Sequence, residues 1–293
     1  MTYKNSTILV TGGAGYIGTH LCEKLIQDGA KVYSLDNYFT GSKENHIPQV
    51  TYIEGHTKEI FEKIDFAPDY IFHLGEYSRV EQSLQEDFSL IFDLNKVGTE
   101  KVLEFALKNK SKLIYAGSST KFGDGGLARD ATPYAWTKAT NTELVKNFGD
   151  WYGLHYAIVY FYNVFGGHER AGKYGTLISI FKQKYLDGTP LTVVQPGTQK
   201  RNFTHIEDII NGLYVVGLNG KGDDYGIGDE RSYSVLEIAK LFDTDIEFLP
   251  ERKGNRTTSF IDTSKTKLLG WKIQNSVLDD IEKFINVNKI IQN

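Results

Sequence analysis

The sequence contains a single cysteine, Cys22, among 293 residues. One cysteine excludes an internal disulfide framework and any metal cluster built from several thiolates, and we predict no metal site. The chain also lacks a dense block of one charge, since 33 Lys and Arg face 37 Asp and Glu for a net charge of −4. This distribution gives no sign of nucleic-acid or anionic-membrane binding.

Long hydrophobic runs are absent as well. The apolar run nearest the N-terminus is Ile8-Leu9-Val10, which Gly12 ends, and it is too short for the core of a signal peptide. No stretch elsewhere could span a bilayer. With 24% charged and 40% hydrophobic residues, the composition is ordinary for a globular protein. We therefore expect a cytoplasmic protein with no membrane partner.

What the sequence does contain is a regular alternation of short β-branched segments with amphipathic ones. Strands are predicted at residues 7–11, 31–35, 50–54, 70–74, 112–116 and 156–161. Helices are predicted between them at 16–28, 90–108 and 134–152. This alternation, with strands that are apolar almost throughout, predicts an α/β fold with a Rossmann-like, doubly wound parallel sheet covered by helices on both faces.

The pattern changes beyond residue 166. Helices are predicted at 177–186, 206–218, 235–242 and 277–287, with short strands at 191–194 and 245–248. Polar loops join these segments, which is typical of a smaller C-terminal α+β lobe placed on the sheet. We predict domains at residues 1–165 and 166–293, with a soft boundary because no flexible linker marks it, and we allow for the chain to cross back between them.

A glycine-rich turn, TGGAGYIG, follows the first predicted strand and opens the first predicted helix. Gly12 permits the tight turn, Gly15 lets the backbone approach a pyrophosphate, and Gly18 lets helix and strand pack closely. The start of the helix, including Tyr16 and Ile17, then presents free N–H groups to the phosphates. The turn therefore predicts a dinucleotide site.

An acidic residue, Asp36, stands at the end of the second predicted strand. Its carboxylate can accept hydrogen bonds from the adenosine ribose hydroxyls and would repel a 2′-phosphate. Asn37 and Tyr38 follow it, where an arginine would favour NADP. The sequence thus favours NAD as the cofactor, with Asn37 at the same site.

The spacing of three between Gly12, Gly15 and Gly18 resembles the extended short-chain dehydrogenases/reductases, and specifically their NAD-dependent nucleoside-diphosphate-sugar epimerases and dehydratases. The resemblance covers nearly the whole chain. Further matching motifs are His73-Leu74, Asn95 with Gly98-Thr99, Tyr134 with Lys138, Asn163-Val164-Phe165-Gly166, Arg201 to Asp208, and Arg252-Lys253-Gly254. The resemblance implies NAD in domain 1–165 and a nucleoside-diphosphate-sugar substrate bound mainly by domain 166–293.

The resemblance also implies roles for single residues. Leu74 and Asn95 would contact the cofactor, whereas Ser119, Asn163, Arg201 and Arg252 would contact the substrate. A diphosphate needs fixed cationic donors, and a guanidinium offers paired N–H groups that match phosphate oxygens. A homodimer is implied too, in which the predicted helices 90–108 and 134–152 pair into a four-helix bundle between subunits.

Tyr134 and Lys138 are four residues apart on one predicted helix and so lie on the same face. A phenol is protonated near neutral pH, and an ammonium group beside it stabilises the phenolate. The resemblance makes Tyr134 the general base and Lys138 the residue that tunes it and binds the nicotinamide ribose. Ser118 matches the family's substrate-orienting hydroxyl, with Ser119 and Thr120 as the nearby alternatives.

The predicted function is oxidation at C4 of a nucleoside-diphosphate sugar, followed by reduction of the 4-keto sugar as in a 4-epimerase. The alternative is a 4-dehydrogenase that releases the keto sugar. Sugar 4,6-dehydratases of this family carry an Asp-Glu pair after the catalytic hydroxyl, and Ser119 and Thr120 replace it here. A non-catalytic dinucleotide-binding protein would be expected to lack Tyr134 or Lys138.

Other positions depart from the family pattern. Gly75-Glu76-Tyr77 replaces small, apolar residues, and Lys121 is unusual after the hydroxyl cluster. The segment from Gly123 to Tyr134 is short. His56 stands where an Asp often contacts the adenine, and Asn255 stands where an acid often contacts the nucleotide ribose. These departures leave the base, the sugar and the fate of the keto sugar open.

Overall fold

The computed structural model describes residues 2–119, 129–167, 169, 172, 175–251 and 261–292. Strands β1 to β6 span Thr7–Thr11, Lys31–Asp36, Thr51–Glu54, Tyr70–His73, Lys112–Ala116 and Tyr156–Phe161. Strands β7 to β13 span Val164–Phe165, Leu191–Val194, Lys200–Arg201, Thr204–His205, Gly222–Ile227, Tyr233–Ser234 and Ile246–Leu249.

The helices alternate with the strands in the first half of the chain. Helices α1 to α5 span Tyr16–Gln27, Ile60–Lys63, Phe88–Phe92, Gly98–Asn109 and Pro133–Tyr152. Helices α6 to α10 span Leu177–Leu186, Ile206–Asn219, Val235–Lys240, Ser264–Lys267 and Val277–Gln292. Within the described residues, no helix is both long enough and apolar enough to cross a bilayer.

A seven-stranded parallel sheet organises the described part of the chain, in the order β11-β6-β5-β4-β1-β2-β3. Thr11 at the end of β1 lies opposite Leu35 on one side and His73 on the other. This register brings the glycine turn next to the ends of β2 and β4. The predicted α/β fold with a Rossmann-like parallel sheet is confirmed.

The sheet is buried on both faces. Ile8 and Val10 of β1 pack with α1 and α7, whereas Leu9 between them packs on the other face with α4 and α5. Successive strand residues point to opposite faces, so a strand covered on both sides must be apolar throughout. A further apolar cluster, which includes Phe181, Phe242 and Ile281, forms the core of the smaller C-terminal lobe.

Two differences from the sequence expectation concern the main sheet and the helices that pack on it. The single helix predicted at 90–108 consists of three successive segments. They are α3, a π-helical segment at Asp93–Val97, and α4. Strand β11 was not predicted, and it completes the sheet beside β6 although it lies beyond residue 165. Helix α7 precedes it and packs on the sheet with α1. The chain therefore returns to the sheet after it has entered the C-terminal segment.

Candidate active site

A cavity of about 860 Å³ lies at the carboxyl ends of the sheet strands, where the C-terminal lobe faces them. This edge is where open α/β sheets bind ligands. Most of the predicted site residues line the cavity: Gly12, Gly15, Tyr16, Ile17, Gly18, Asp36, Asn37, Leu74, Ser118, Ser119, Tyr134, Lys138, Asn163 and Arg201. The fold thus brings residues together from positions 12 to 201.

The glycine turn leaves no room for side chains at two positions. Gly12 has a φ of +74°, and a Cβ there would lie 2.9 Å from the Gly75 backbone. A Cβ on Gly18 would overlap the Gly12 carbonyl and lie 2.7 Å from the Gly13 Cα. Helix α1 begins after Gly15 with no side-chain cap and no acidic residue in its first turn. Its N–H groups can therefore bind an anion.

Asp36 lies beside this cradle, where the sequence predicts the adenosine ribose. Its carboxylate accepts hydrogen bonds from the N–H groups of Ala14 at 2.9 Å and Tyr38 at 2.8 Å. Burial raises the pKa of Asp36, and the two N–H donors partly oppose that shift. Each carboxylate oxygen keeps a further lone pair for a ribose hydroxyl. The cradle and this carboxylate together fit a dinucleotide without a 2′-phosphate.

Tyr134 is placed by the start of α5. Thr132 caps this helix, because its hydroxyl accepts a hydrogen bond from the Ala135 N–H at 3.1 Å, and Pro133 occupies the first turn. The Tyr134 hydroxyl donates to Ser118 Oγ at 3.2 Å, across from the end of β5. The predicted pair of phenol and serine hydroxyl is therefore in hydrogen-bond contact in the cavity wall.

Lys138 lies one turn further along α5 and is almost fully buried. Its ammonium group pairs with the Glu76 carboxylate and also donates to the Ala116 carbonyl. It lies 4.5 Å from the centre of the Tyr115 ring. The sequence marked Glu76 only as a departure from small, apolar residues, and its pairing with Lys138 was not predicted.

Several other predicted residues have structural partners. Asn95 does not line the cavity. Its buried amide binds the backbone of Tyr77 on both sides, at 2.7 and 3.2 Å, and donates to Thr137 Oγ1 at 3.0 Å. His56 caps a short helical turn through Nδ1, which accepts from the Lys58 N–H at 3.0 Å. A direct cofactor contact by Asn95 stays a prediction.

The substrate side of the cavity contains Asn163 and Arg201. Asn163 has a positive φ of 26° and donates to the Asn202 carbonyl at 3.0 Å. Arg201 lies on β9, which pairs with β12, and its guanidinium donates to the Lys200 carbonyl at 2.8 Å. The predictions made for Thr120, Lys121, Arg252 and Asn255 fall outside the described residues.

Comparison with known proteins places this geometry in context. The model of the "NAD dependent epimerase/dehydratase family" matches residues 8–228. A protein of Methanocaldococcus jannaschii named "Putative UDP-glucose 4-epimerase" is 29% identical, with 95% of this chain and 97% of that protein covered. A UDP-N-acetyl-alpha-D-glucosaminuronate decarboxylase of Bacillus cytotoxicus is 30% identical, with coverage of 79% and 78%.

The fold is shared with a solved structure that contains the cofactor. The UDP-glucose 4-epimerase of Thermus thermophilus in complex with NAD aligns with a TM-score of 0.87 at 23% identity. The alignment covers 96% of this chain and 98% of that chain. The predicted cofactor, NAD, is confirmed, and the glycine cradle and Asp36 are the residues of this chain that fit it.

Proposed function

The chain belongs to the NAD dependent epimerase/dehydratase family, and we propose that it is a 4-epimerase of a nucleoside-diphosphate sugar. The observation that carries the proposal is the contact of the Tyr134 hydroxyl with Ser118 Oγ at 3.2 Å, with Lys138 in the same wall. A phenol beside a small hydroxyl can hold the oxygen of a secondary alcohol between them. Proton transfer by such a positioned group contributes a rate factor of about 10²–10⁴.

The proposed mechanism assigns one proton to Tyr134. Ser118 orients the C4 hydroxyl of the sugar, and the phenolate form of Tyr134 accepts its proton as the carbon is oxidised. Bound NAD supplies the hydride-accepting and hydride-donating chemistry at that carbon. After the keto sugar has rotated to present its other face, Tyr134 returns the proton to the C4 oxygen. No other residue needs to gain or lose a proton over the full cycle.

The substrate is proposed to be a uridine-diphosphate sugar. Both curated relatives carry UDP-linked sugars in their names. Arg201 lines the cavity on the side of the C-terminal lobe and offers a guanidinium for the diphosphate. Asn163 lines the same side and offers an amide for the sugar or the diphosphate. Arg252 is proposed as the second cationic contact.

The test uses the protein with NAD and with UDP-glucose or UDP-N-acetylglucosamine in turn. The expected product is the C4-inverted sugar nucleotide, seen by chromatography and NMR, with no net NADH absorbance. Tyr134→Phe is expected to lower turnover by at least about 100-fold, while NAD still binds. Tyr152→Phe is a matched control, since Tyr152 lies on the same helix with 59% of its surface exposed.

Four results would contradict the proposal. Accumulation of a 4-keto sugar with stoichiometric NADH would indicate a dehydrogenase, and loss of water from the sugar would indicate a dehydratase. Carbon dioxide released from a UDP-uronate, without epimerisation of any sugar, would indicate a decarboxylase. Unchanged turnover of Tyr134→Phe would exclude Tyr134 as the base.

A further inference from the structure

An aromatic contact crosses the cavity beside the glycine turn. Phe39, in the loop after β2, and Tyr77, in the loop after β4, have ring centroids 5.9 Å apart at an interplanar angle of 48°. Both residues line the same cavity as Gly12 and Gly15. In the sheet order β1 lies between β2 and β4, so the strands that carry the two loops are about 10 Å apart at strand spacing. The two rings therefore bridge the end of β1, where the glycine turn begins.

The loop that carries Phe39 is anchored on the glycine turn. The Ser42 N–H and the Asn45 side-chain amide both donate to the Ala14 carbonyl, at 3.1 and 2.9 Å. A Cβ on Gly41 would lie 3.2 Å from the Ala14 carbonyl carbon, so the backbone of the loop passes close to the turn. Phe39 precedes these anchors, and it is 37% exposed. Its ring can therefore rotate away from the cavity while the anchors stay in place.

Tyr77 is held in place by its surroundings. It is only 3% exposed, and its side chain packs in a small apolar cluster with Ile91 and Leu94. The Asn95 amide binds the Tyr77 backbone N–H at 2.7 Å and its carbonyl at 3.2 Å. Segments with few buried contacts open at the lowest cost. Tyr77 is therefore the fixed side of the aromatic contact, and Phe39 is the side that can move.

A dinucleotide has to pass the place where the two rings meet. The start of α1, which follows β1, fits the pyrophosphate, and Asp36 at the end of β2 fits the adenosine ribose. A dinucleotide that occupies both positions lies across the end of β1 and continues toward β4. This is the span that Phe39 and Tyr77 bridge. The rings have to separate before a molecule of this size can cross between the two loops.

We propose that Phe39 and Tyr77 form an aromatic gate that has to open before NAD can enter or leave, and that this gate sets the rate of cofactor exchange. The gate is a contact between two protein groups, so it slows entry and exit alike. A residue that only binds the cofactor would slow its release without slowing its entry. The proposal concerns the cofactor and does not depend on which reaction takes place at the sugar.

The experiment measures the exchange of NADH. Protein loaded with NADH is mixed rapidly with excess NAD, and the loss of bound-NADH fluorescence gives the release rate constant. An equilibrium titration gives the dissociation constant, and the two values together give the entry rate constant. Phe39→Ala is expected to raise both rate constants about tenfold and to leave the dissociation constant within about threefold of the wild type. A tenfold change corresponds to about 1.4 kcal/mol, which an aromatic pair and its buried area can supply.

Two control variants accompany Phe39→Ala. Phe39→Tyr keeps a ring at the gate and is expected to exchange NADH as slowly as the wild type. Phe248→Ala also removes a partly exposed aromatic ring, since Phe248 is 46% exposed on β13. Because Phe248 does not line the cavity, this variant should keep the wild-type rate constants.

A double-mutant cycle tests whether the two rings act as one gate. Tyr77→Leu removes the second ring and keeps an apolar side chain in the buried cluster. If the rings form one gate, Tyr77→Leu accelerates exchange as Phe39→Ala does, and the variant with both changes exchanges NADH no faster than either single variant. Phe39 is at the surface of its loop, so the Phe39 variants decide the question even where Tyr77→Leu does not fold.

Three outcomes would overturn the proposal. Release of NADH from Phe39→Ala at the wild-type rate would show that the contact is no barrier. Faster release with a dissociation constant weakened by the same factor would make Phe39 a binding residue and not part of a gate. Additive acceleration in the double variant would mean that the two rings act separately. None of these measurements requires a sugar, so the 4-epimerase proposal stands or fails by its own test.

Discussion

The stability of the protein is expected to fall as the pH drops below about 6.5, with His73 as a principal cause. Burial lowers the pKa of His73 to about 4, with Glu76 raising it and Lys138 lowering it to smaller extents. In the unfolded chain a histidine titrates near pH 6.5. Between these values the unfolded state binds a proton that the folded state excludes. The contribution of neutral His73 to stability is therefore fully present above pH 6.5 and is lost as the pH falls toward 4.

The size of the effect follows from the separation of the two pKa values. About 2.5 pH units at about 1.36 kcal/mol per unit correspond to about 3 kcal/mol of unfolding free energy. The side chain has no exposed surface, so solvent does not screen the difference. Domains of ordinary stability unfold at a cost of about 5–15 kcal/mol. The loss would therefore be a large fraction of the total.

The assay is urea unfolding, followed by tryptophan fluorescence, at several pH values from about 7 down to 4.5. His73→Gln removes the titrating ring and keeps an amide for Thr99. We expect its unfolding free energy to fall by about 2 kcal/mol less than that of the wild type over this range. His155→Gln is the control, since His155 is exposed.

Other titrating groups do not disturb this comparison. Burial raises the pKa values of Asp36 and Asp208, so their contributions to stability grow as the pH falls, opposite to that of His73. Both carboxyls are present in the wild type and in His73→Gln, so their contributions cancel in the difference between the two proteins. An identical pH dependence in the wild type and His73→Gln would refute the reasoning. It would mean that His73 takes up a proton in the folded state at about the same pH as in the unfolded chain.

Three further predictions concern the cofactor, the C-terminal lobe and assembly. Gly18→Ala places a Cβ 2.7 Å from the Gly13 Cα, and calorimetry should show at least about tenfold weaker NAD binding. Gly188→Ala strains the backbone at a φ of +64° but meets no neighbouring atom, and because Gly188 does not line the cavity, this control should leave NAD affinity unchanged. Asp208 accepts from the Gln274 and Asn275 N–H groups at 3.0 and 2.9 Å, so Asp208→Asn should cost about 1–3 kcal/mol in urea unfolding without weakening NAD binding. Light scattering should give about twice the chain mass of 33.1 kDa. Trp151→Asp, at a side chain that is 60% exposed on α5, should shift the measured mass toward that of the monomer. A monomeric wild type would contradict the predicted homodimer.

The sheet could be predicted from the sequence because its strands are buried on both faces. The predicted limits of β1, β5 and β6 agree with the structure residue for residue. Strand β11 was missed because its sequence, Gly-Asp-Asp-Tyr-Gly-Ile, has two glycines and two aspartates, which are depleted in strands. Its extended form depends on pairing with β6 and on α7, which are tertiary contacts that no local pattern contains.

The site was predictable where backbone geometry demands a residue type and less so where side chains meet. Gly12, Gly18 and Tyr134 follow from turn geometry and helical spacing. Glu76 could be marked only as a charge among residues expected to be small. Its partner, Lys138, lies 62 positions away. The two residues meet only because α5 packs on the sheet over the neighbouring strands β4 and β5.

The acidic residues of the cavity wall bear on the choice between the proposed 4-epimerase and a dehydratase. Of the described residues that line the cavity, only Asp36 and Glu76 carry a carboxylate. Asp36 ends β2, three strands away from β5 in the sheet order, or roughly 14 Å at strand spacing. Burial raises the pKa of Glu76, but the charge of Lys138, together with smaller contributions that include hydrogen bonds from Lys138 and Asn141, outweighs burial and holds the pKa below its ordinary value. Its Oε1 also accepts from Asn141 and Thr99, so the carboxylate has no proton to give a leaving hydroxyl at C6. Glu76 therefore does not supply the acid that elimination of water needs, whereas the proposed epimerisation at C4 moves only the proton assigned to Tyr134.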